Sequence, residues 1–333
     1  MPWEEGVSEG LQHLEHIFVA IPTQAPGKKL YYDVLGFAPD ARRLHNLQRG
    51  SGTIWANIRI SQLRLGEGDP QVVPGTIGFV YPDLTEVVSR LMEERFDAFD
   101  GTKFTWQERS DGALEIVCPF GNVLHLHQSA PVPASNETPA PPTSSLDPRG
   151  GRLPSLSPVL GLGIAYAHFR VKPGTAAGLA RFYREVLGAD VKELGTVKSA
   201  DEATCSMVGV RDQTGLDKIR AMTGGAFVRV GPVQHLGFVE AEEALPEYDG
   251  HHICLYMTDK GFRRSFLNAK RMDLVFSLDS ENTDTLEKAL DAKQYRIKNL
   301  VDPSTGDLLH VLGHEIRSIL HPEYPVGRNV SID

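Results

Sequence analysis

The first 128 residues alternate strand-like and helix-like patterns of apolar and polar residues. Strands are predicted at residues 16–21, 54–65, 76–81, 113–118 and 122–128, with another near Phe104. Helices are predicted at residues 28–35, closed by Gly36, and at residues 84–95, with Asp83 as the N-cap. A strand, a helix and further strands occur twice, which indicates two βαβββ modules.

The second half of the chain repeats the first. His16, Tyr31, Val34, Leu35 and Gly36 align without a gap with His168, Tyr183, Val186, Leu187 and Gly188. TIGFVYPD from Thr76 aligns with HICLYMTD from His252, and FGNVLHLHQ from Phe120 aligns with TGDLLHVLG from Thr305. A repeat of this kind determines the architecture, so we expect four modules in two similar domains.

Two domains also fit the length and composition. A chain of 333 residues, 41% hydrophobic and 23% charged, is ordinary for a globular protein with two domains. Residues 129–158 are rich in proline, serine and threonine, and such a composition indicates a linker. We therefore predict an N-terminal domain at 1–128, a linker at 129–158 and a C-terminal domain at 159–333.

Charge and cysteine content limit the partners and the compartment. The formal net charge of -9 argues against a nucleic-acid partner, which a basic surface would attract. Three widely spaced cysteines do not form a disulfide framework, and the acidic N-terminus lacks the apolar core of a signal peptide. The longest apolar run, around residues 159–167, is too short to cross a membrane. We expect a cytoplasmic protein with no membrane partner.

The motifs LEHIFVAIP, LYYDVLGF, GTIGFVYPDLTEVVSRL and CPFGNVLHLHQ resemble those of the vicinal oxygen chelate superfamily, which includes glyoxalase I, bleomycin-resistance proteins and extradiol dioxygenases. The resemblance implies an α+β fold of two domains. In each, two βαβββ modules form a curved, half-open sheet, and metal ligands project from the first and last strands. Whether modules pair within one chain or across a homodimer is left open.

Histidines hold the family's ligand positions in the second half. The resemblance implies that His168, His252 and His310 ligate one divalent metal, with His235 as a fourth candidate. Neighbouring residues of a strand face opposite ways, so His251 would replace His252 only if the register slips by one. The family usually has glutamate where this alignment places His310. Imidazole ligands do not distinguish Fe, Zn, Mn or Ni.

The first half has a weaker set of ligands. His16 and His125 hold two of the positions, but Thr76 holds the middle one, and Arg64 lies near the fourth. Two imidazoles and a hydroxyl make a poor divalent site, so we expect a copy whose metal site is degraded. The tail HEIRSILHPEYP, which contains Glu315, is interpreted as a solvated or edge-covering segment.

These features predict a metal-dependent enzyme. The leading hypothesis is an oxygenase whose small oxygenated organic substrate is chelated to the metal. Tyr256, on the strand face of His252, is the candidate catalytic residue that would hydrogen-bond a substrate oxygen. The alternatives are a glyoxalase-like lyase or isomerase, which needs a base, and a non-catalytic protein that binds a small molecule.

Overall fold

The computed structural model describes residues 10–59, 61–93, 96–129, 159–194, 224–231, 234–278 and 282–324. The predicted linker, apart from Ser129, lies outside these ranges. Among the helices in them, none has the length and apolar character needed to span a membrane.

Within the described ranges, each of the four modules contributes four strands. Module 1 contains β1 (Leu11–Ile21), β2 (Ala38–Pro39), β3 (Ile54–Ile58) and β4 (Ser61–Glu67). Module 2 contains β5 (Gly75–Tyr81), β6 (Thr105–Glu108), β7 (Leu114–Val117) and β8 (Val123–Gln128). Module 3 contains β9 (Gly163–Val171), β10 (Val191–Leu194), β11 (Gly225–Arg229) and β12 (His235–Glu240). Module 4 contains β13 (His252–Met257), β14 (Val275–Phe276), β15 (Gln294–Val301) and β16 (Leu308–Ser318).

A helix follows the first strand of every module, and modules 1 and 4 have a further helix after their second strand. The helices are α1 (Gln24–Lys28) with a π-helical continuation (Lys29–Val34), α2 (Leu44–Arg49), α3 (Thr85–Glu93), α4 (Ala176–Glu185), α5 (Asp259–Arg271) and α6 (Leu286–Ala292). Asp83 precedes α3 and accepts a hydrogen bond from the Thr85 backbone N–H at 2.9 Å, as a helix-capping residue should. The α5 helix begins after Thr258, whose hydroxyl accepts from the Gly261 N–H. The βαβββ pattern predicted from the sequence is confirmed in these elements.

The sixteen strands form two mixed sheets, which we call sheet A and sheet B. Sheet A has the order β14-β15-β16-β13-β1-β4-β3-β2, and sheet B has the order β10-β11-β12-β9-β5-β8-β7-β6. Module 1 therefore pairs with module 4 through β1 and β13, and module 2 pairs with module 3 through β5 and β9. The α+β fold class is confirmed.

Neither sheet coincides with a half of the sequence. The predicted domains at 1–128 and 159–333 each contribute two modules, but one of the two enters sheet A and the other enters sheet B. Local alternation specifies which residues of a strand face the core, whereas the choice of partner module depends on packing between distant segments. The modules pair within one chain, across its two halves.

The core lies on the faces of the sheets that carry alternate apolar residues. In β13, Ile253, Leu255 and Met257 belong to the buried apolar cluster, so His252 faces the other way. A β-bulge in β1 breaks the alternation, because Leu14 pairs with Leu255 while His16 pairs with Cys254. The extra residue, Glu15, therefore lies beside His16 on the face away from the core.

Candidate metal centre

Three side chains from different strands converge on sheet A. His16 lies on β1, His252 on β13 and Glu315 on β16, and their ligand atoms all lie within 4.8 Å of one another. The strand β13 pairs with both β1 and β16, which brings the three together across two strand boundaries. Cys254 pairs with His16 on one side and with Glu315 on the other. Glu15, His16 and Cys254 form a second group of the same spacing.

Both imidazoles of this set are neutral. Burial, followed by the charge of Arg64, lowers the pKa of His16 to about 4. Burial lowers the pKa of His252 well below its usual value, and a proton on His252 would also be repelled by a proton on His16. A neutral imidazole offers the lone pair that a metal requires. His16 Nε2 is buried and has no hydrogen-bond partner, while Nδ1 is held by the Glu15 carboxylate.

The third side chain, Glu315, is ionised. Burial alone would raise its pKa, but the charges of Arg317 and Arg296 hold it well below the usual range. Arg296 Nη2 donates to Glu315 Oε2 at 2.6 Å, and Arg317 forms an ion pair with the other oxygen. Two neutral nitrogens and one ionised oxygen are a donor set that fits a divalent metal ion.

A guanidinium holds the fourth position of this centre. In the parallel pair of β1 and β4, His16 lies beside Gln62, and Arg64 follows two residues later. In the matching pair of β13 and β16, His252 lies beside Gly313, and Glu315 follows two residues later. Arg64 is therefore the counterpart of Glu315. Because a guanidinium has no lone pair to offer, sheet A presents three candidate ligands and a cation at the fourth position.

A second group of histidines lies on sheet B, and we call it the sheet B cluster: His125, His127, Tyr166, His168 and His235. The Nε2 atoms of His168 and His235 lie 2.9 Å apart. The Tyr166 hydroxyl lies 3.1 Å from His125 Nδ1 and 2.8 Å from His127 Nε2. These imidazoles satisfy one another and the tyrosine. Within the described ranges, only the two sheet A groups bring three metal-ligating atoms this close together.

Burial keeps the sheet B cluster neutral. It lowers the pKa of His127 to about 4 and that of His235 to about 4, and it lowers the pKa of His168 well below the usual value. The Tyr166 ring fills the middle of the cluster and lies flat over Gly78, where a Cβ would come within 2.2 Å of it. The same burial raises the pKa of Tyr166.

The structure does not bring the four predicted ligands together. His168 and His235 lie on sheet B, whereas His252 and His310 lie on strands of sheet A. His310 faces the core side, where its ring lies 6.4 Å from that of Phe169. The predicted set is therefore found in three separate places: His168 and His235 on sheet B, His252 beside His16 on sheet A, and His310 on the core side of β16. Modules 3 and 4 enter different sheets, which separates the first two residues from the others.

The alternative ligand and the candidate catalytic residue also have definite positions. His251 faces away from His252, and its Nδ1 lies 2.6 Å from Asp249 Oδ1. The register slip is thus not observed, since His252 stacks on Phe18 with ring centroids 4.6 Å apart. Tyr256 is buried, and its hydroxyl accepts a hydrogen bond from Arg317 Nη1 at 3.3 Å.

The sequence reasoning missed Glu315 and the partnership of His16 with His252. The sequence predicts a solvated or edge-covering tail from His314, but residues 314–318 continue β16 inside sheet A, where Glu315 and Arg317 are buried. The repeat aligns His310 with His125, and Glu315 lies five residues beyond His310. The alternation His314, Glu315, Ile316, Arg317 is a strand signal that could have extended the comparison. His16 was assigned to a degraded site with Thr76 and His125, which both lie on sheet B.

Comparison with solved structures gives likenesses of fold. Glyoxalase I from Zea mays is 12% identical, with a TM-score of 0.48 over 92% of each chain. A candidate dioxygenase from Bacillus subtilis is 14% identical, with a TM-score of 0.48 over 96% of this chain and 91% of that one. A member of the glyoxalase/bleomycin resistance protein/dioxygenase superfamily from Sphaerobacter thermophilus is 19% identical, with a TM-score of 0.25, and covers 36% of this chain and 98% of its own. No family model and no curated protein matches the sequence.

Proposed function

We propose that the chain is a metal-dependent enzyme whose single divalent ion is held by His16, His252 and Glu315. The observation that carries this proposal is the convergence of two neutral imidazoles and one ionised carboxylate within 4.8 Å, with His16 Nε2 buried and lacking any partner. A buried nitrogen without a partner is costly unless something binds it. The predicted metal is thus retained, with a different set of ligands.

The donor set favours an oxygenase acting on a small oxygenated organic compound. Two histidines and one carboxylate are typical of non-haem Fe(II) oxygenases, although Zn, Mn and Ni also accept these donors. An ion bound here would supply Lewis acidity and, if it were iron, redox chemistry with dioxygen. Arg64 lies at the fourth position, so a substrate bound to the ion would lie against this guanidinium.

The residues around the set fix its geometry in advance. Glu15 holds Nδ1 of His16 and thereby directs Nε2 toward the centre. The Phe18 ring stacks on His252 at an interplanar angle of 12° and covers Gly66, where a Cβ would lie 2.4 Å from the ring. Two arginines hold Glu315. Ligand atoms held in this way need little reorganisation when an ion or a substrate binds.

A glyoxalase-like lyase is less well supported. The corrected last-strand residue, Glu315, supplies the carboxylate that such an enzyme could use as a base. However, the arginines beside Glu315 hold its pKa below the usual range, so the carboxylate is a weak base. Tyr256 has a pKa raised by burial and keeps its proton at neutral pH. We propose it as a hydrogen-bond donor to the substrate rather than as a base.

Metal content and oxygen uptake test the proposal together. The purified chain should hold one divalent ion, and Fe(II)-loaded protein should consume oxygen with catechols or related vicinal diols. His252→Ala should abolish both, while His168→Ala, a matched change in sheet B, should leave both intact. Metal without oxygen uptake would favour the lyase, and no metal in the wild type would favour the non-catalytic binding protein.

A further inference from the structure

The chain places one of its own carboxylates beside the metal centre. After β16, residues 319–324 fold back over sheet A, and Glu323 contacts three arginines from three different segments. Arg42 Nη1 donates to Glu323 Oε1 at 2.8 Å, Arg64 Nη2 donates to Oε2 at 3.0 Å, and Arg317 Nη1 donates to Oε2 at 2.6 Å. Three guanidinium groups on one carboxylate make a strong carboxylate-binding arrangement.

These three arginines are held in place by groups other than Glu323. Arg42 donates to both oxygens of Asp40, at 2.9 and 2.8 Å. Arg64 donates to Gln62 Oε1 at 2.7 Å and lies 4.1 Å from the Trp55 ring centroid. Arg317 donates to Gln294 Oε1 at 2.9 Å. Because each guanidinium has its own support, the arrangement would persist if Glu323 moved away.

The arginines connect directly to the metal centre. Arg317 contacts Glu315, and Arg64 Nη2 lies 3.5 Å from the Oε2 of Glu15, the carboxylate that holds His16. Arg317 therefore lies between Glu323 and Glu315, and Arg64 lies between Glu323 and Glu15. A small molecule with a carboxylate at the position of Glu323 could reach the metal centre with its other oxygens.

The balance of buried charge calls for an anion at this place. Arg42, Arg64, Arg296 and Arg317 are matched by Asp40, Glu15, Glu315 and Glu323. Without Glu323 the group would carry one excess positive charge, and a divalent ion would add two more. Burial would raise the pKa of Glu323, but Arg317 and Arg64 lower it to about 2, so it is bound as the anion. Because Arg64 and Arg317 are buried, an uncompensated charge on them is unfavourable, and this favours an anion at the site.

Glu323 itself is a replaceable occupant. Its side chain is 25% exposed, and Leu320 in the same turn is 58% exposed. The backbone of the turn is held by bonds of its own, such as those from the Ile319 N–H to the Met257 carbonyl and from the Tyr324 N–H to the His321 carbonyl. A substrate carboxylate that displaced the Glu323 side chain would replace only its bonds to the three arginines.

We propose that Arg42, Arg64 and Arg317 form the carboxylate subsite of the substrate, and that Glu323 occupies this subsite until a substrate displaces it. The substrate class is a small organic acid whose neighbouring oxygens lie toward His16, His252 and Glu315. The part that concerns the metal rests on the proposed function, whereas the carboxylate subsite does not.

Calorimetric titration with salicylate, and with salicylamide as its neutral counterpart, tests the subsite in the full chain. Glu323→Ala should bind salicylate about tenfold more tightly than the wild type, because an internal competitor is removed. Salicylamide should show no such gain. Glu287→Ala, at an exposed glutamate on α6, is the matched control and should behave as the wild type.

The double variant Arg42→Gln, Glu323→Ala should lose the gain in salicylate affinity. Arg42 is chosen because its side chain is a third exposed and tolerates change. Glu323→Gln, which keeps the shape of the turn, should show a gain in the same direction. Equal binding of salicylate and salicylamide by Glu323→Ala, or no gain in either variant, would overturn the subsite. Metal content measured on the same samples separates this result from the proposed function: a variant that holds metal but shows no gain refutes the subsite alone.

Discussion

Sheet A and sheet B present a histidine at the matching position of β1 and β9, His16 and His168, yet the chemistry around the two differs. On sheet A, His16 Nε2 has no partner, and the neighbouring Glu315 is ionised. On sheet B, His168 and His235 bond to each other, and Tyr166 fills the middle. The comparison teaches that a histidine at a ligand position becomes a candidate ligand only when its nitrogen is left unsatisfied. Each site also takes residues from both halves of the chain.

The largest expected effect follows from the pairing of strands between the two halves of the chain. Cleavage within residues 129–158 should leave the two fragments bound to each other, because β1 pairs with β13 and β5 pairs with β9. Gel filtration after limited proteolysis checks this. Fragment 1–128 produced alone should not fold, since it would contain only half of each sheet. Two separate, folded fragments would show that the halves are independent domains.

A carboxylate beside each group of histidines distinguishes the two sites directly. Glu315→Gln should weaken metal binding about 100-fold or more, because it removes a charged oxygen donor. Glu115 is the carboxylate beside the sheet B cluster, where it accepts from Arg109 Nη1 at 3.0 Å and lies 3.0 Å from His125 Nε2. Glu115→Gln should leave metal affinity unchanged in a competition titration with a chelator. Equal losses in both variants would remove the distinction between the sheets.

Acid should destabilise the sheet B cluster. The pKa of His235 is about 4 in the folded chain and about 6.5 when unfolded, so the unfolded chain takes up the proton first. Stability is therefore complete above pH 6.5 and is lost as the pH falls toward 4, by about 3 kcal/mol from this residue. When metal-free protein is unfolded in urea, the free energy of unfolding should fall less with decreasing pH in His235→Gln than in the wild type. His45→Gln, at an exposed histidine, should follow the wild-type curve, and an unchanged slope in His235→Gln would contradict the assignment.

The smallest effect concerns the tyrosine that fills the sheet B cluster. A Cβ on Gly78 would meet the Tyr166 ring at 2.2 Å, so Gly78→Ala should cost about 2 kcal/mol of unfolding free energy. Gly68→Ala is the control, because the nearest atom would be the Ala20 Cβ at 3.5 Å. Thermal unfolding of the two variants checks this. Equal stability would mean that Tyr166 does not lie over Gly78 in solution.

The local elements could be predicted because they depend on local patterns. The expected strand at residues 76–81 is observed as Gly75–Tyr81, and the expected helix at residues 84–95 as Thr85–Glu93. His252 was found because the repeat places it at the start of a strand. The partnership of His16 with His252 could not be read from the sequence, because it depends on which distant modules share a sheet. The three arginines around Glu323 come from segments far apart in the chain and carry no common motif.

The central claim is that a single metal binds on sheet A and none binds on sheet B. Anomalous diffraction from crystals of Co(II)-loaded protein, collected at the cobalt edge, tests it most directly. The account predicts one strong peak in each chain, bounded by His16 Nε2, His252 and the carboxylate of Glu315. A peak between His168 and His235 with none on sheet A would contradict it.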